Sequence, residues 1–265
     1  MPDPLYTADN CTPAYQLRWS LALFPHAELP SAEIWLEALK HGTETDGVRL
    51  LECHRRAADV WQFLLSTLPT VAPPQIIKSV KGRLQNLVHE THPKAFRRNF
   101  SLTSVGDANR TAVEQYVSDQ LGHHRMADPR IEARLQRYQL AFPEVDLSRP
   151  IFSDHGRYVY NLHLVLVHAE RWRDVSEGFL DATRDMVLKV ARQKGHRLSR
   201  LAILADHVHL SFGAPYERSP EEIALSYLNN LAYGHGMQPV YQFGYYVGTF
   251  GEYDMDAVRR EVTPR

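Results

Sequence analysis

The sequence predicts an α+β protein made of two tandem ferredoxin-like units, each an antiparallel sheet with helices on one face, packed together as a pseudo-dimer. Two observations lead there: an internal repeat at a period of 145 to 147 residues, and the same order of elements in both repeats. "AYQLRWSLALF" (14–24) lies over "VYNLHLVLVHA" (159–169), and "AADVWQFLLS" (57–66) over "LADHVHLSFG" (204–213). "IIKSVKGRL" (76–84) lies over "IALSYLNNL" (223–231), and "NFSLTSVGDANRTAVEQYV" (99–117) over "GYYVGTFGEYDMDAVRREV" (244–262). Four matches in one order at a nearly constant offset are the mark of a duplication.

Each unit opens with an alternating strand (15–23; 159–167), since a period of two puts apolar residues on one sheet face. A helix follows (31–41; 174–194), its apolar positions recurring at three and four. Two short strands come next (48–53 and 60–66; 200–205 and 207–213). Pro74 and Pro220 stand where proline suits the first turn of a second helix (75–91; 220–233). A short strand (99–104; 244–250), a glycine turn and a final helix close the unit. Strand–helix–strand–strand–helix–strand is the ferredoxin-like order. The expected boundaries are 1–120 and 151–265, joined by 121–150, which carries the helical stretch "PRIEARLQRYQLA".

With 265 residues, 44% hydrophobic and 23% charged, the chain suits a soluble globular protein with a sizeable core. No apolar run approaches the roughly 20 residues that cross a bilayer, so no membrane partner is expected. "MPDPLYTADN" has neither a basic start nor an apolar core, so no secretory signal is expected. Cys11 and Cys53 have no metal-finger spacing and cannot frame a disulfide scaffold, which fits a reducing cytoplasm. A net charge of −1 makes no global case for nucleic acid, so any such case rests on local distribution.

The chemistry-bearing stretch is "LADHVHLSF" (204–212). On a strand, His207 and His209 project from one face, either as half of a metal site or as two core histidines with partners of their own. Asp206 either orients an imidazole or ends a turn. In the first unit the matching residues are Asp59, Val60 and Gln62, with no imidazole pair. Conversely, Tyr116 in "VEQYVSDQ" matches Glu261 in "VRREV". One unit has the histidines without the tyrosine, and the other the reverse.

"DHVHL" resembles the His-hydrophobic-His signature of the HUH single-strand DNA nucleases. "GYYVGTFGEYDMDAVRR" and "RRNFSLTSVGDANRTAVEQYVSDQ" resemble the C-terminal part of the small single-tyrosine HUH transposases, which mobilise hairpin-ended elements as single strands and have REP-associated relatives. The resemblance covers roughly 14–120 and 159–262. It implies that Tyr116 is the nucleophile and that Gln120, one helical turn on, helps His207 and His209 hold Mg²⁺ or Mn²⁺. His124 is a rival third ligand, and His123 a weaker one. In that family each site joins the histidines of one subunit to the tail helix of the other. The implied arrangement here is one composite site per chain, while Val60, Gln62 and Glu261 make the second position inert. That departs from the symmetrical pattern, although a second chain would restore two sites.

The implied reaction is attack by the Tyr116 hydroxyl on a phosphodiester, giving a 5′-phosphotyrosine bond and a free 3′-OH, reversible without ATP. Residues 76–98 bring Lys78, Lys81, Arg83, Lys94, Arg97 and Arg98 against the single acid Glu90, whereas 219–243 have neither Lys nor Arg. Because phosphate contacts dominate nucleic-acid affinity, the grip on single-stranded or hairpin DNA is expected on the first unit. Tyr245, Tyr246, Phe250 and Tyr253 suit base stacking, but core or subunit contact is the preferred reading. Two further readings are a nuclease adopted to process hairpins, origins or linear DNA ends, and a non-catalytic DNA-binding descendant of a transposase.

Overall fold

Side chains that accept the unpaired amide protons of a first turn set the helix starts. Asn109 accepts from the Ala112 amide at 2.8 Å and opens α4 (Arg110–Ser118). Ser176 accepts from the Phe179 amide and opens α7 (Glu177–Lys194), which ends at Gly195 with φ of 70°. Ser219 and Glu222 form a reciprocal capping box around Pro220 at the start of α8 (Pro220–Gly234). Helix α1 (Ala32–Glu44) buries Trp35, Leu39 and Thr43, one turn apart. The helix expected over 75–91 is built in three pieces: α2 (Pro73–Ile77), a π-helical turn (Lys78–Gly82) and α3 (Arg83–Leu87).

The computed structural model describes residues 3–123, 126, 128–169 and 174–252. The expected final helix of the second unit, with Tyr253 and Glu261, lies outside these residues, as does His124. Two six-stranded sheets form the framework. One runs β3 (Val48–Ala57), β4 (Val60–Thr67), β2 (Arg18–Pro25), β5 (Phe96–Val105), β8 (Gly156–Val159) and β7 (Ile151–Phe152). The other runs β1 (Thr12–Gln16), β12 (Gly244–Thr249), β9 (Asn161–Val167), β11 (His207–Gly213), β10 (Arg197–Ile203) and β6 (Gln139–Ala141).

These are two tandem ferredoxin-like units, with one departure from expectation. The opening strands are not continuous: each is cut, at Leu17 and at Tyr160, and its first half joins the sheet of the other unit. β1 pairs in parallel with β12, and β8 in parallel with β5, so neither sheet is wholly antiparallel. Alternation continues across both breaks, so periodicity cannot say to which sheet a strand belongs. The exchange also covers an edge of each sheet that would otherwise present unpaired backbone groups. A second correction concerns "PRIEARLQRYQLA". Its helix, α6 (Pro129–Gln136), stops short, and β6 pairs with the outer edge of β10.

The units meet in a reciprocal seam. The Ser104 hydroxyl donates to the Phe250 carbonyl at 3.0 Å, and the Thr249 hydroxyl to the Val105 carbonyl at 2.8 Å. Gly106 and Gly251 make this approach possible. A Cβ on Gly106 would lie 2.5 Å from the Thr249 carbonyl oxygen, and one on Gly251, at φ +144°, 2.5 Å from that of Ser104. One apolar core joins both units, with Trp19, Trp35 and Phe63 in the first and Leu210, Phe212 and Tyr227 in the second. Helices α7 and α8 cover one face of the second sheet. Helix α4, from the first unit, lies across the other, where Val113 and Val117 pack with Leu147, Ala202 and Phe250. Among the described residues no helix is long and apolar enough to cross a membrane.

Behind β11, the His196 ring stacks on Phe212 with centroids 5.1 Å apart, and its Nδ1 lies 2.9 Å from the Tyr227 hydroxyl. Burial lowers its pKa to about 4. Its contribution to stability is therefore complete above the unfolded value of about 6.5 and is lost as pH falls from there to about 4. In urea titrations at a series of pH values, His196→Gln is expected to flatten stability in that window by up to about 1.4 kcal/mol per pH unit. Gly251→Ala is expected to lower unfolding free energy by about 1–3 kcal/mol through overpacking and a strained φ. Gly178→Ala, in α7 with open space around it, is expected to raise it slightly in the same titrations.

Candidate active site

Strand β11 carries the histidine pair because its alternation has two different audiences. Val208 and Leu210 point into the core beneath α7 and α8, while His207 and His209 share the opposite face. Ala202 is the register partner of His209, so the residues on which α4 docks share the histidines' face. Hydrogen bonds also pin α4 to β10: Ser199 donates to the Glu114 carboxylate, and Arg200 Nε donates to the Ser118 hydroxyl at 3.2 Å. This docking brings Tyr116 of the first unit against the imidazoles of the second. Its ring lies edge-on to His209, with centroids 5.8 Å apart. It is 48% exposed and lines a surface cleft.

The two imidazoles are 4.8 Å apart between centroids, and each is held at Nδ1. His207 Nδ1 lies 2.6 Å from an Asp206 carboxylate oxygen. His209 Nδ1 lies 3.0 Å from Nε2 of His163, on the neighbouring strand β9. A histidine that ligates a metal through Nε2 is commonly held at Nδ1 by a carboxylate, as His207 is by Asp206, and two imidazoles on one strand face are donors of a type that a divalent cation takes. Among the described residues no group of three or more His, Cys, Asp or Glu side chains is placed to hold a metal, so a third protein donor would have to be of another kind. Gln120 is expected in that role. It is buried, begins the short helix α5 (Gln120–His123) after a break at Asp119, and donates from Nε2 to the Tyr116 carbonyl at 3.0 Å.

His163 is a site residue that the motif reading passes over. Its signal lies in "VYNLHLVLVHA", where it stands against Arg18 of the first unit. It lines a cleft of about 580 Å³ together with Tyr116, His209, Tyr246, Gln16 and Asp107. The Asp107 carboxylate there is held by Gln16 and Arg18. Tyr245 and Phe250 are buried, whereas Tyr246 faces the cleft with its ring 5.8 Å from His163. At the matching position of the first sheet, Gln62 Nε2 donates to the Ser20 hydroxyl at 2.8 Å and Gln62 Oε1 accepts from Arg56. A guanidinium–amide–hydroxyl chain occupies the place where the second unit has imidazoles.

The six basic residues of 76–98 divide by role. Lys81 turns inward, donating to the Arg97 and Arg98 carbonyls at 2.6 and 2.8 Å, and burial lowers its pKa. Arg83 forms a bidentate pair with Asp46, whose carboxyl is held down at about 2 by the hydrogen bonds from Arg83 and Ser79. Arg97 lies 3.4 Å from Asp59. Lys78, Lys94 and Arg98 are exposed.

No family model and no curated protein matches this chain. Among solved structures it is similar to a REP-associated tyrosine transposase bound to a REP hairpin, at 12% identity and a TM-score of 0.31, covering 38% of this chain. The chain spans 60% of that structure's length. It is also similar to a proposed transposase from Deinococcus radiodurans R1, at 23% identity and a TM-score of 0.33, over 41% of this chain and 93% of that one. A proposed transcriptional repressor of the glycine cleavage system aligns at 8% identity and a TM-score of 0.25, over 89% and 98%. These TM-scores all lie below 0.5, so the functional reading rests on the chain's own residues.

The division among the basic residues is measurable. Lys81→Met is expected to cost about 0.5–1.5 kcal/mol of stability, because the Arg97 and Arg98 carbonyls lose a charged donor. Lys78→Ala and Lys94→Ala are expected to stay within about 0.5 kcal/mol of the parent in the same denaturation experiments.

Proposed function

We propose that this chain nicks and rejoins single-stranded DNA in a metal-dependent reaction, as in DNA transposition, through a covalent phosphotyrosine intermediate at one composite site. The observation that supports it is the edge-on packing of Tyr116, from the first unit, on His209 of the second. A tyrosine half exposed beside an oriented imidazole pair is difficult to account for by stability alone.

His207, His209 and Gln120 would hold the ion, Mg²⁺ or Mn²⁺. When bound, it supplies Lewis-acid polarisation of the scissile phosphate. The Tyr116 oxygen forms a bond to phosphorus as its proton leaves, and the bond from phosphorus to the 3′ oxygen breaks. The products are a 5′-phosphotyrosine and a free 3′-OH, and the reverse attack reseals the strand. Asp206 holds His207 at Nδ1, which would leave Nε2 as its ligating atom. With Gln62 and Val60 in the corresponding places of the first sheet, each chain has one such centre. Lys78, Lys94 and Arg98 are the surface cations suited to the DNA backbone.

Hairpin-containing single-stranded DNA labelled on the 3′ segment, incubated with the protein and Mn²⁺, is expected to yield an adduct that survives denaturing electrophoresis. Its yield should approach one strand per chain. Tyr116→Phe is expected to abolish the adduct, and His207→Ala to reduce it about 100-fold or more, since several kcal/mol of charge stabilisation is lost. An adduct from Tyr116→Phe equal to the parent's would refute the reading. In binding titrations against salt, replacing Lys78, Lys94 and Arg98 together by Ala is expected to lower the slope by about 1 for each phosphate no longer neutralised.

A further inference from the structure

His163 is not among the residues proposed to hold the ion, yet its Nε2 is 3.0 Å from Nδ1 of His209. The two ring planes are 16° from parallel with centroids 5.2 Å apart, and Tyr116 meets both edge-on. A hydrogen bond between two neutral imidazoles contains a single proton, which resides on one ring or the other. If His163 Nε2 carries it, Nδ1 of His209 is the acceptor and the proton of His209 must sit on Nε2. That tautomer cannot ligate a cation through Nε2. If His209 Nδ1 carries it, His209 can do so.

We propose that His163 is the positioning residue for His209, accepting its Nδ1–H and so holding it in the tautomer that binds a divalent cation through Nε2. The inference deepens the proposed function and rests on His209 being a metal ligand. Two observations support it. His207 is held at Nδ1 by the Asp206 carboxylate, which only accepts when ionised, so the same tautomer at His209 makes the two rings alike. In the first unit both imidazoles are missing together: Arg18 stands at the place of His163 and Gln62 at that of His209. There Arg18 serves the Asp107 carboxylate instead.

The test uses the full chain and two readouts. In metal-free protein with ¹⁵N-labelled histidine, the imidazole nitrogen shifts of His209 are expected to report Nδ1–H in the parent and a mixture of tautomers in His163→Ala. In titrations with Mn²⁺ alone, followed by the electron-spin-resonance signal of the free ion, His163→Ala is expected to bind about 10- to 100-fold more weakly than the parent. His163→Gln, which restores a carbonyl acceptor, is expected to recover much of that loss. A His209 that remains Nδ1–H in His163→Ala overturns the proposal, as does Mn²⁺ binding equal to the parent's in that variant. If His207→Ala and His209→Ala also bind Mn²⁺ like the parent, the metal reading itself falls, and the inference with it. If those two lose Mn²⁺ while His163→Ala does not, the inference alone falls.

Discussion

The molecule depends on the seam at which two hydroxyls cross from unit to unit. Ser104 bonds to the Phe250 carbonyl and Thr249 to the Val105 carbonyl, each beside a glycine that leaves no room for a Cβ. Each bond contributes only about 0.5–1.5 kcal/mol on its own. Their weight lies in position: they fix the ends of β5 and β12 against each other, and helix α4 springs from the end of β5. Ser104 also accepts the Asn161 amide, and Thr249 the Arg18 amide, so the start of β9 and the start of β2 are tied to the same two hydroxyls. A shift here would move α4 over the histidine face, and with it Tyr116.

The fold is legible where chemistry repeats along the chain. Duplicated blocks, a proline at each second helix and the alternation of β11 all identify elements without knowledge of what lies beside them. Strand ownership is not legible. Leu17 and Tyr160 are ordinary apolar residues in alternating runs, and the break at each comes from which sheet has an open edge, a property of the assembled molecule. Gln139–Ala141 read as the end of a helix for the same reason, because the edge of β10 that recruits them is set by tertiary structure.

The candidate site divides along similar lines. His207, His209 and Tyr116 stand out because each is missing from the matching place in the other unit, a comparison internal to one chain. His163 escapes that comparison because its match, Arg18, is polar too, so the pair reads as a surface difference. Lys81 and Arg83 look like DNA contacts for the converse reason. Their charge is visible in sequence, whereas the Arg97 and Arg98 carbonyls and the Asp46 carboxylate that take them up come together only on folding.

The exchanged strands also impose an order of events on the birth of the molecule. Thr12–Gln16 find their hydrogen-bonding partner in Gly244–Thr249, far along the chain. Pairing across more than two hundred residues is slow, since loop closure must precede any contact that rewards it. Until then the outer edge of β12 stands open, a state in which a nascent chain is prone to pair with the wrong neighbour. Joining both units in one polypeptide keeps the correct neighbour tethered nearby.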